Sequence, residues 1–157
     1  MKVLLAIDGS PPSHAALTEL ATRSWPQGTE VQILTVIHST MPLFLEPTLV
    51  LAAAHMEQTL ELRSEAPALV QAASDLIRDA APGVRVTTKI VEGTPQEAIV
   101  QEAEEWGADL IVLGSHGYGR FRRTVLGSVA GAVVAKAPCS VQVVRAKHLL
   151  HKPESAA

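Results

Sequence analysis

Short runs of apolar residues alternate along the chain with longer segments in which apolar residues recur every three or four positions. The short runs are typical of buried strands and cover residues 2–7, 30–37, 84–91, 109–113 and 140–145. The longer segments are typical of helices and cover residues 13–25, 54–81, 95–106 and 127–137. Because strands that alternate with crossover helices form a parallel sheet, we predict an α/β fold, a three-layer α/β/α sandwich with a five-stranded parallel sheet.

Local residue choices predict where the helices begin and bend. Ser13 is predicted to cap the first helix. Thr94 predicts the N-cap of the third helix, with Glu97 completing a capping box. Pro67 predicts a kink or a restart in the second helix. Residues 38–53 mix apolar side chains with prolines, and we expect a loop there that lies over the ligand site or at an interface.

The composition narrows the class of protein. With 157 residues, 47% hydrophobic and 3% aromatic, the chain predicts one domain whose core is built from Val, Leu, Ile and Ala. A formal net charge of -3 gives no broad basic surface for nucleic acid. No apolar run approaches the ~20 residues of a membrane span, so we expect no membrane partner. A single cysteine, Cys139, excludes an internal disulfide and favours a cytoplasmic location.

A glycine-rich segment holds the candidate chemistry. The residues from Gly114 to Ser128, GSHGYGRFRRTVLGS, connect a predicted strand to a predicted helix. In an open parallel sheet, such connections bind anionic ligands. Glycine lets the backbone approach a phosphate, and the free N–H groups at a helix start favour negative charge. Since Arg120, Arg122 and Arg123 add positive charge, we predict a nucleotide site here.

Two common phosphate-binding motifs do not fit this segment. Gly114-x4-Gly119 has the glycine spacing of a P-loop, but Arg120 and Phe121 replace the Lys and Ser/Thr that bind phosphate and Mg²⁺. A dinucleotide fingerprint fails as well, because Arg122 replaces its third glycine and the loop follows the fourth strand.

A third pattern does fit. Gly114-x2-Gly117-x9-Gly127-Ser128 resembles the ATP-binding signature of the universal stress protein family. Further segments are also similar to family sequences: VLLAIDGS at 3–10, VQILTV at 31–36, GTP at 93–95, ADLIVLGSHG at 108–117 and APCSVQVV at 137–144. The resemblance implies a Rossmann-like, adenine nucleotide alpha hydrolase-like fold with strand order 3-2-1-4-5. It also implies one universal stress protein domain over residues 1–146, followed by a polar tail over 147–157.

The resemblance further implies that ATP lies in a groove at the C-terminal edge of the sheet. Asp8 would accept hydrogen bonds from the ribose or lie near Mg²⁺ and the phosphates, and the alternative is a turn residue that caps the first helix. Ala6 and Val36 would line the adenine pocket, unless they only pack in the core. Leu113 and Gly114 would contact the sugar and the α-phosphate through their backbones.

By the same resemblance, the phosphates would lie on the glycine-rich segment and on the helix that follows. Gly117 would let the segment fold around them, and Arg120 would neutralise their charge. His116 would approach a phosphate or stay a solvated loop residue. Backbone amides, and one serine hydroxyl, would reach the β- and γ-phosphates from Gly127, Ser128 and Val129. Ser128 as an ordinary helix cap is compatible with this role.

ATP with Mg²⁺ is thus the expected ligand, and the chain is expected to act as a nucleotide-dependent switch or sensor in the stress response. Asp8 has no evident general-base partner, so at most slow hydrolysis or autophosphorylation is expected. A nucleotide-independent interaction module of the same fold and a slow enzyme stay open as alternatives. The protein partner of such a switch is unknown.

The last predicted strand, residues 140–145, would lie at an edge of the sheet, and an unprotected apolar edge favours pairing. The family resemblance implies a homodimer that forms through this strand. Its predicted interface residues are Val141, Val143 and Arg145.

Overall fold

A computed structural model describes residues 1–38, 49–116 and 126–146, without the side chains of residues 49–52 and 55. Within these ranges, strands and helices alternate strictly along the chain. The strands are β1 (Lys2–Ala6), β2 (Glu30–His38), β3 (Arg85–Gly93), β4 (Leu110–Gly114) and β5 (Ser140–Val144). The helices are α1 (Pro11–Thr22), α2 (Leu49–Ala80), α3 (Pro95–Trp106) and α4 (Ser128–Lys136).

All strands join one parallel sheet in the order β3-β2-β1-β4-β5, which confirms the predicted fold class and strand order. The order reverses at β1, where Leu5 pairs with Ile33 of β2 on one side and with Val112 of β4 on the other. At such a reversal, an open α/β sheet leaves a crevice outside the carboxyl ends of its strands. The glycine-rich segment follows β4 and therefore starts at this crevice.

Alternate residues of β1 face the two helical layers. Val3 and Leu5 lie in a buried cluster with residues of α1 and α2, whereas Leu4 and Ala6 lie in a second cluster with residues of α3 and α4. A strand that is covered on both faces must be apolar throughout, which explains the continuous run VLLA. The core is therefore built from Val, Leu, Ile and Ala on both sides of the sheet, as the composition predicted.

The start of α1 differs from the prediction. Ser10, and not Ser13, is the N-cap, because Pro11 and Pro12 already belong to the first helical turn. Proline suits these positions, where its missing N–H would have no intrahelical partner. Ser13 is buried inside the turn, where its Oγ donates to the Ser10 carbonyl at 3.0 Å. The helix therefore begins earlier than predicted, and its cap lies three residues before Ser13.

The start of α3 is only partly as predicted. Thr94 is the N-cap and Pro95 is the first helical residue, but the Thr94 side chain makes no capping hydrogen bond. Its backbone carbonyl instead accepts a hydrogen bond from the Glu97 N–H at 3.1 Å. The predicted capping box is therefore not formed.

Helix α2 is longer than predicted and runs without interruption for 32 residues. The two ends of the predicted 38–53 loop are regular structure, because His38 belongs to β2 and residues 49–53 belong to α2. Residues 39–48 lie outside the described part of the chain. Pro67 lies inside α2 with its ring exposed, and the predicted restart is wrong. No helix of the described residues has both the length and the apolar character required to cross a membrane.

Candidate nucleotide-binding site

Three segments meet at the carboxyl ends of β1 and β4: the turn after β1, the residues after β4, and the start of α4. The Ser10 hydroxyl, at the turn, donates to the His116 carbonyl at 3.5 Å. The Gly127 N–H, at the start of α4, donates to the Ser115 carbonyl at 2.8 Å. Residues that are far apart in the sequence are thus brought to one place, in front of the strand reversal.

Asp8 follows β1 and is exposed. Its Oδ1 accepts a hydrogen bond from the Ser10 N–H at 2.9 Å, so Asp8 is a turn residue as the alternative predicted, but it does not cap α1, because the N-cap is Ser10. One oxygen is thereby fixed, while no contact with another described residue occupies Oδ2. A single exposed carboxylate is the type of ligand that Mg²⁺ accepts together with water and substrate phosphates. Among residues 1–38, 49–116 and 126–146, no three His, Cys, Asp or Glu side chains cluster closely enough to hold a metal by themselves.

Gly114, the last residue of β4, lies directly under the first turn of α1. A Cβ atom at position 114 would stand 2.6 Å from the Pro12 carbonyl carbon and 2.7 Å from the Ser13 nitrogen. Contacts this short with backbone atoms are not tolerated, so only glycine fits here. The packing of α1 on β4 is therefore enough to explain the first glycine of the signature.

Ser115 links three parts of the site, and the sequence prediction missed it. Its side chain is buried, with 3% of the residue exposed. Its N–H donates to the Val144 carbonyl at 2.8 Å, and its carbonyl accepts from Gly127. Its Oγ lies 3.1 Å from Nδ1 of His116. Its position between the first two glycines of the signature was the only signal in the sequence that could have indicated it.

The start of α4 corrects one predicted role. Gly127 is the N-cap, and Ser128 is the first helical residue with an exposed side chain, so Ser128 is not the cap. Among the described residues, no side chain caps the first amides of this helix. Uncapped N–H groups and the positive end of the helix dipole together favour an anion. Val129, the next residue, is half-buried against the core.

Ala6 and Val36, which were predicted to line the base pocket, lie on the same face of the sheet as Leu113, which was predicted to contact the sugar. Ala6 and Leu113 are paired neighbours on β1 and β4, and both lie in the cluster under α3 and α4. They are 8% and 4% exposed, so both pack in the core, whereas Val36 on β2 is only half-buried. Gly117 and Arg120, together with Arg122 and Arg123, lie outside the described residues.

Strand β5 lies at the edge of the sheet, as predicted. The carbonyl of Val144 points toward β4, because it accepts the Ser115 N–H. The N–H and C=O of one strand residue point to the same side, and those of the next residue point to the opposite side. The N–H and C=O of Val141 and Val143 therefore face the free edge. Their side chains are half-buried against the core, and Arg145 follows the strand with an exposed side chain.

Comparisons with known proteins agree on one family. A sequence model described as the universal stress protein family matches residues 1–145. The Thermus aquaticus protein named universal stress protein in QAH/OAS sulfhydrylase 3'region is 36% identical over 151 residues, covering 91% of this chain and 97% of that protein. The Bacillus subtilis universal stress protein YxiE is 31% identical over 147 residues, covering 92% of this chain and 98% of its own.

Solved structures share the fold along nearly the whole chain. The hypothetical protein MJ0577 of Methanocaldococcus jannaschii superposes with a TM-score of 0.74 at 30% identity, over 92% of this chain and 94% of that one. A universal stress protein solved in complex with cAMP superposes with a TM-score of 0.65 at 25% identity, over 92% of this chain and 96% of that one.

Proposed function

We propose, from the premise that this chain belongs to the universal stress protein family, that it binds an adenine nucleotide at the carboxyl ends of β1 and β4. The observation that carries this proposal is the convergence of the Asp8 turn, the Ser115–His116 segment and the uncapped start of α4. A relative of the same fold is described in complex with cAMP, which supports an adenine nucleotide as the ligand class.

ATP with Mg²⁺ is the form that the site favours. The first amides of α4, at Ser128 and Val129, receive no side-chain cap from residues 1–38, 49–116 or 126–146 and would donate to phosphate oxygens. Asp8 supplies one carboxylate oxygen that is free of contacts with other described residues, which suits a Mg²⁺ ion held mainly by phosphates and water. The same oxygen could instead accept hydrogen bonds from ribose hydroxyls. Val36, half-buried beside the core, would contact the base.

The output of nucleotide binding would be an interaction rather than a reaction. Asp8 is the one carboxylate that we assign to the phosphates, and efficient phosphoryl transfer needs an oriented nucleophile as well. The hydrogen bond between Ser115 and Val144 joins the site to the edge strand β5. We therefore propose a nucleotide-dependent switch in the stress response that forms a homodimer through β5 and is recognised by another protein. A cytoplasmic location stays a prediction.

The first experiment is the nucleotide content of the freshly purified protein, measured by heat denaturation and ion-pair chromatography. Calorimetric titration with ATP, ADP, AMP and cAMP follows, with and without Mg²⁺. We expect bound adenine nucleotide or micromolar binding of ATP. Asp8→Asn is the matched variant, because it keeps the oxygen that accepts the Ser10 N–H and removes the charge.

Asp8→Asn should weaken ATP binding in Mg²⁺ by about threefold to tenfold and leave the unfolding midpoint unchanged. If the wild-type protein binds none of these nucleotides, the proposal is wrong and the nucleotide-independent interaction module is favoured. ATP turnover near the rates of kinases, roughly 1–100 s⁻¹, would instead establish an enzyme.

A further inference from the structure

The imidazole of His116 is held between a buried hydroxyl and the start of α4. Oγ of Ser115 lies 3.1 Å from Nδ1 of the ring. On the opposite edge of the ring, Cδ2 lies 3.6 Å from the point that a Cβ atom of Gly127 would occupy. We infer that Ser115 is a positioning residue, whose hydroxyl holds His116 so that Nε2 donates a hydrogen bond to a phosphate of the bound nucleotide. The role assigned to Ser115 rests on the proposed function.

The orientation of the ring supports this role. Cδ2 is bonded directly to Nε2, so the Nε2 side of the imidazole is the side that lies next to Gly127. Gly127 is the N-cap of α4, and no side chain in the described part of the chain caps the amides that follow it. An N–H donor on Nε2 would therefore join these amides around the same anion.

In our proposal, the Ser115 hydroxyl donates its hydrogen bond to Nδ1 of His116. A neutral imidazole that accepts a hydrogen bond at Nδ1 must carry its proton on Nε2. Ser115 is 3% exposed, so water competes little for this contact. The His116 main chain is restrained as well, because its carbonyl accepts from the Ser10 hydroxyl at 3.5 Å. Ring and backbone are thus fixed before a ligand arrives.

The structural role of Ser115 can be separated from this positioning role. Its backbone N–H and carbonyl make the hydrogen bonds to Val144 and Gly127, and alanine at position 115 would keep both. Among the described residues, the hydrogen bond between Oγ and the His116 ring is the one that the Ser115 side chain makes. Ser115→Ala therefore removes the positioning contact and leaves the loop backbone bonded as before.

The test compares ATP in Mg²⁺ with adenosine, which lacks phosphates. Ser115→Ala should weaken ATP binding by roughly threefold to tenfold and leave adenosine binding, followed by ligand-observed NMR, unchanged. His116→Ala should have the same effect, and Ser115→Ala should add nothing in the His116→Ala background. Ser115→Thr keeps the hydroxyl and should bind ATP with about the affinity of the wild-type protein. The ring nitrogen shifts of His116 in the wild-type protein should report the proton on Nε2.

The outcomes distinguish a failure of the inference from a failure of the proposed function. If the wild-type protein binds ATP but the losses of Ser115→Ala and His116→Ala add independently, Ser115 does not act through His116. Equal losses for ATP and adenosine would show a general effect on the site and overturn the inference as well. A wild-type His116 protonated on Nδ1 would overturn it without any variant, even if Ser115→Ala failed to fold. A wild-type protein that binds no nucleotide removes the proposed function and this inference together.

Discussion

The first turn of α1 lies against the end of β4 so closely that a Cβ atom on Gly114 would stand 2.6 Å from the carbonyl carbon of Pro12. This contact joins β1, α1 and β4 in front of the strand reversal. It also fixes the turn that holds Asp8 beside the residues that follow β4. The glycine is therefore needed to assemble the site, whatever ligand the site binds.

Gly114→Ala should lower the free energy of unfolding by about 1–3 kcal/mol, because the added methyl would displace backbone atoms of Pro12 and Ser13. Urea unfolding followed by circular dichroism measures the loss. Gly83→Ala is the matched control, since nothing lies within 4 Å of the added Cβ atom there. It should be neutral or stabilise by up to about 1 kcal/mol. Equal effects of the two variants would contradict the close packing of α1 on β4.

The fold could be predicted from the sequence because β1 and β4 are continuous apolar runs, β3 alternates between apolar and polar residues, and strands that alternate with helices leave few topologies. The signature glycines predicted where the candidate site lies, but they did not indicate the packing that requires glycine at a given position. Gly114 is explained by a helix that packs against it from more than 100 residues away, and no local pattern reports such a contact. The buried hydroxyl of Ser115 was missed for the same reason, because burial at a strand end depends on the tertiary structure.

Gly127→Ala should weaken ATP binding and also lower the free energy of unfolding, by about 1 kcal/mol. A Cβ atom there would lie 3.1 Å from the Ser115 carbonyl oxygen and 3.2 Å from the His116 Cα, so these residues must shift. Gly127→Val would press on the same two residues, so any loss of ATP binding in that variant would include a shift of Ser115 and His116. Calorimetry with ATP and urea unfolding give the two quantities.

Gly131→Ala is the control within the same helix, because its Cβ atom would meet only Leu126 Cβ, at 4.0 Å. It should stabilise the protein by about 0.5–1 kcal/mol, since alanine is preferred over glycine inside a helix. Its ATP affinity should match that of the wild-type protein. If Gly127→Ala behaved like Gly131→Ala, the tight contact at position 127 would have no energetic consequence.

Lys89→Met should destabilise the protein because it leaves the Glu102 carboxylate buried without its cation. Nζ of Lys89 contacts Oε2 of Glu102, and the Glu102 side chain is 7% exposed. We expect a loss of about 1–3 kcal/mol, less than for a fully buried pair, because the Lys89 side chain is 41% exposed. The double variant Lys89→Met/Glu102→Leu should recover most of this loss, since no charge is then left unpaired.

The pair between Arg63 and Glu92 provides the comparison, because both of its side chains are about half exposed. Arg63→Met should change the free energy of unfolding by no more than about 0.5 kcal/mol. A Lys89→Met loss as small as that of Arg63→Met would mean that Glu102 is hydrated or relocates to solvent.

Cys139 should react slowly with iodoacetamide. Burial raises the pKa of the Cys139 thiol, and the negative charge of Asp109 raises it further. The thiolate is the reactive form, so at about pH 8 alkylation should be slower than that of glutathione, and the rate should keep rising at higher pH. Because the folded state keeps the proton longer, the free energy of unfolding should fall as the pH exceeds about 8.5, the ordinary thiol pKa.

Cys139→Ser should remove the fall in the free energy of unfolding that the thiol causes above about pH 8.5. Asp109→Asn should raise the alkylation rate of Cys139, but not to the rate of glutathione, since burial is the larger cause of the raised pKa. A Cys139 that reacts as fast as glutathione at about pH 8 would contradict the burial of the thiol.

Val143→Pro should convert a homodimer into a monomer. The N–H and C=O of Val143 face the free edge of β5, because those of the neighbouring Val144 face β4, where the Val144 carbonyl accepts the Ser115 N–H. Proline at 143 therefore removes a donor that a second copy would use, while the hydrogen bonds between β4 and β5 are kept.

Val144→Pro is the opposite case, because it removes an N–H that faces β4, and it should destabilise the monomer itself. Val143→Thr keeps the N–H and the branched shape and should stay dimeric. Size-exclusion chromatography with light scattering measures the mass of each variant at one concentration. A Val143→Pro protein that keeps the mass of a dimer would show that the two copies do not pair through β5.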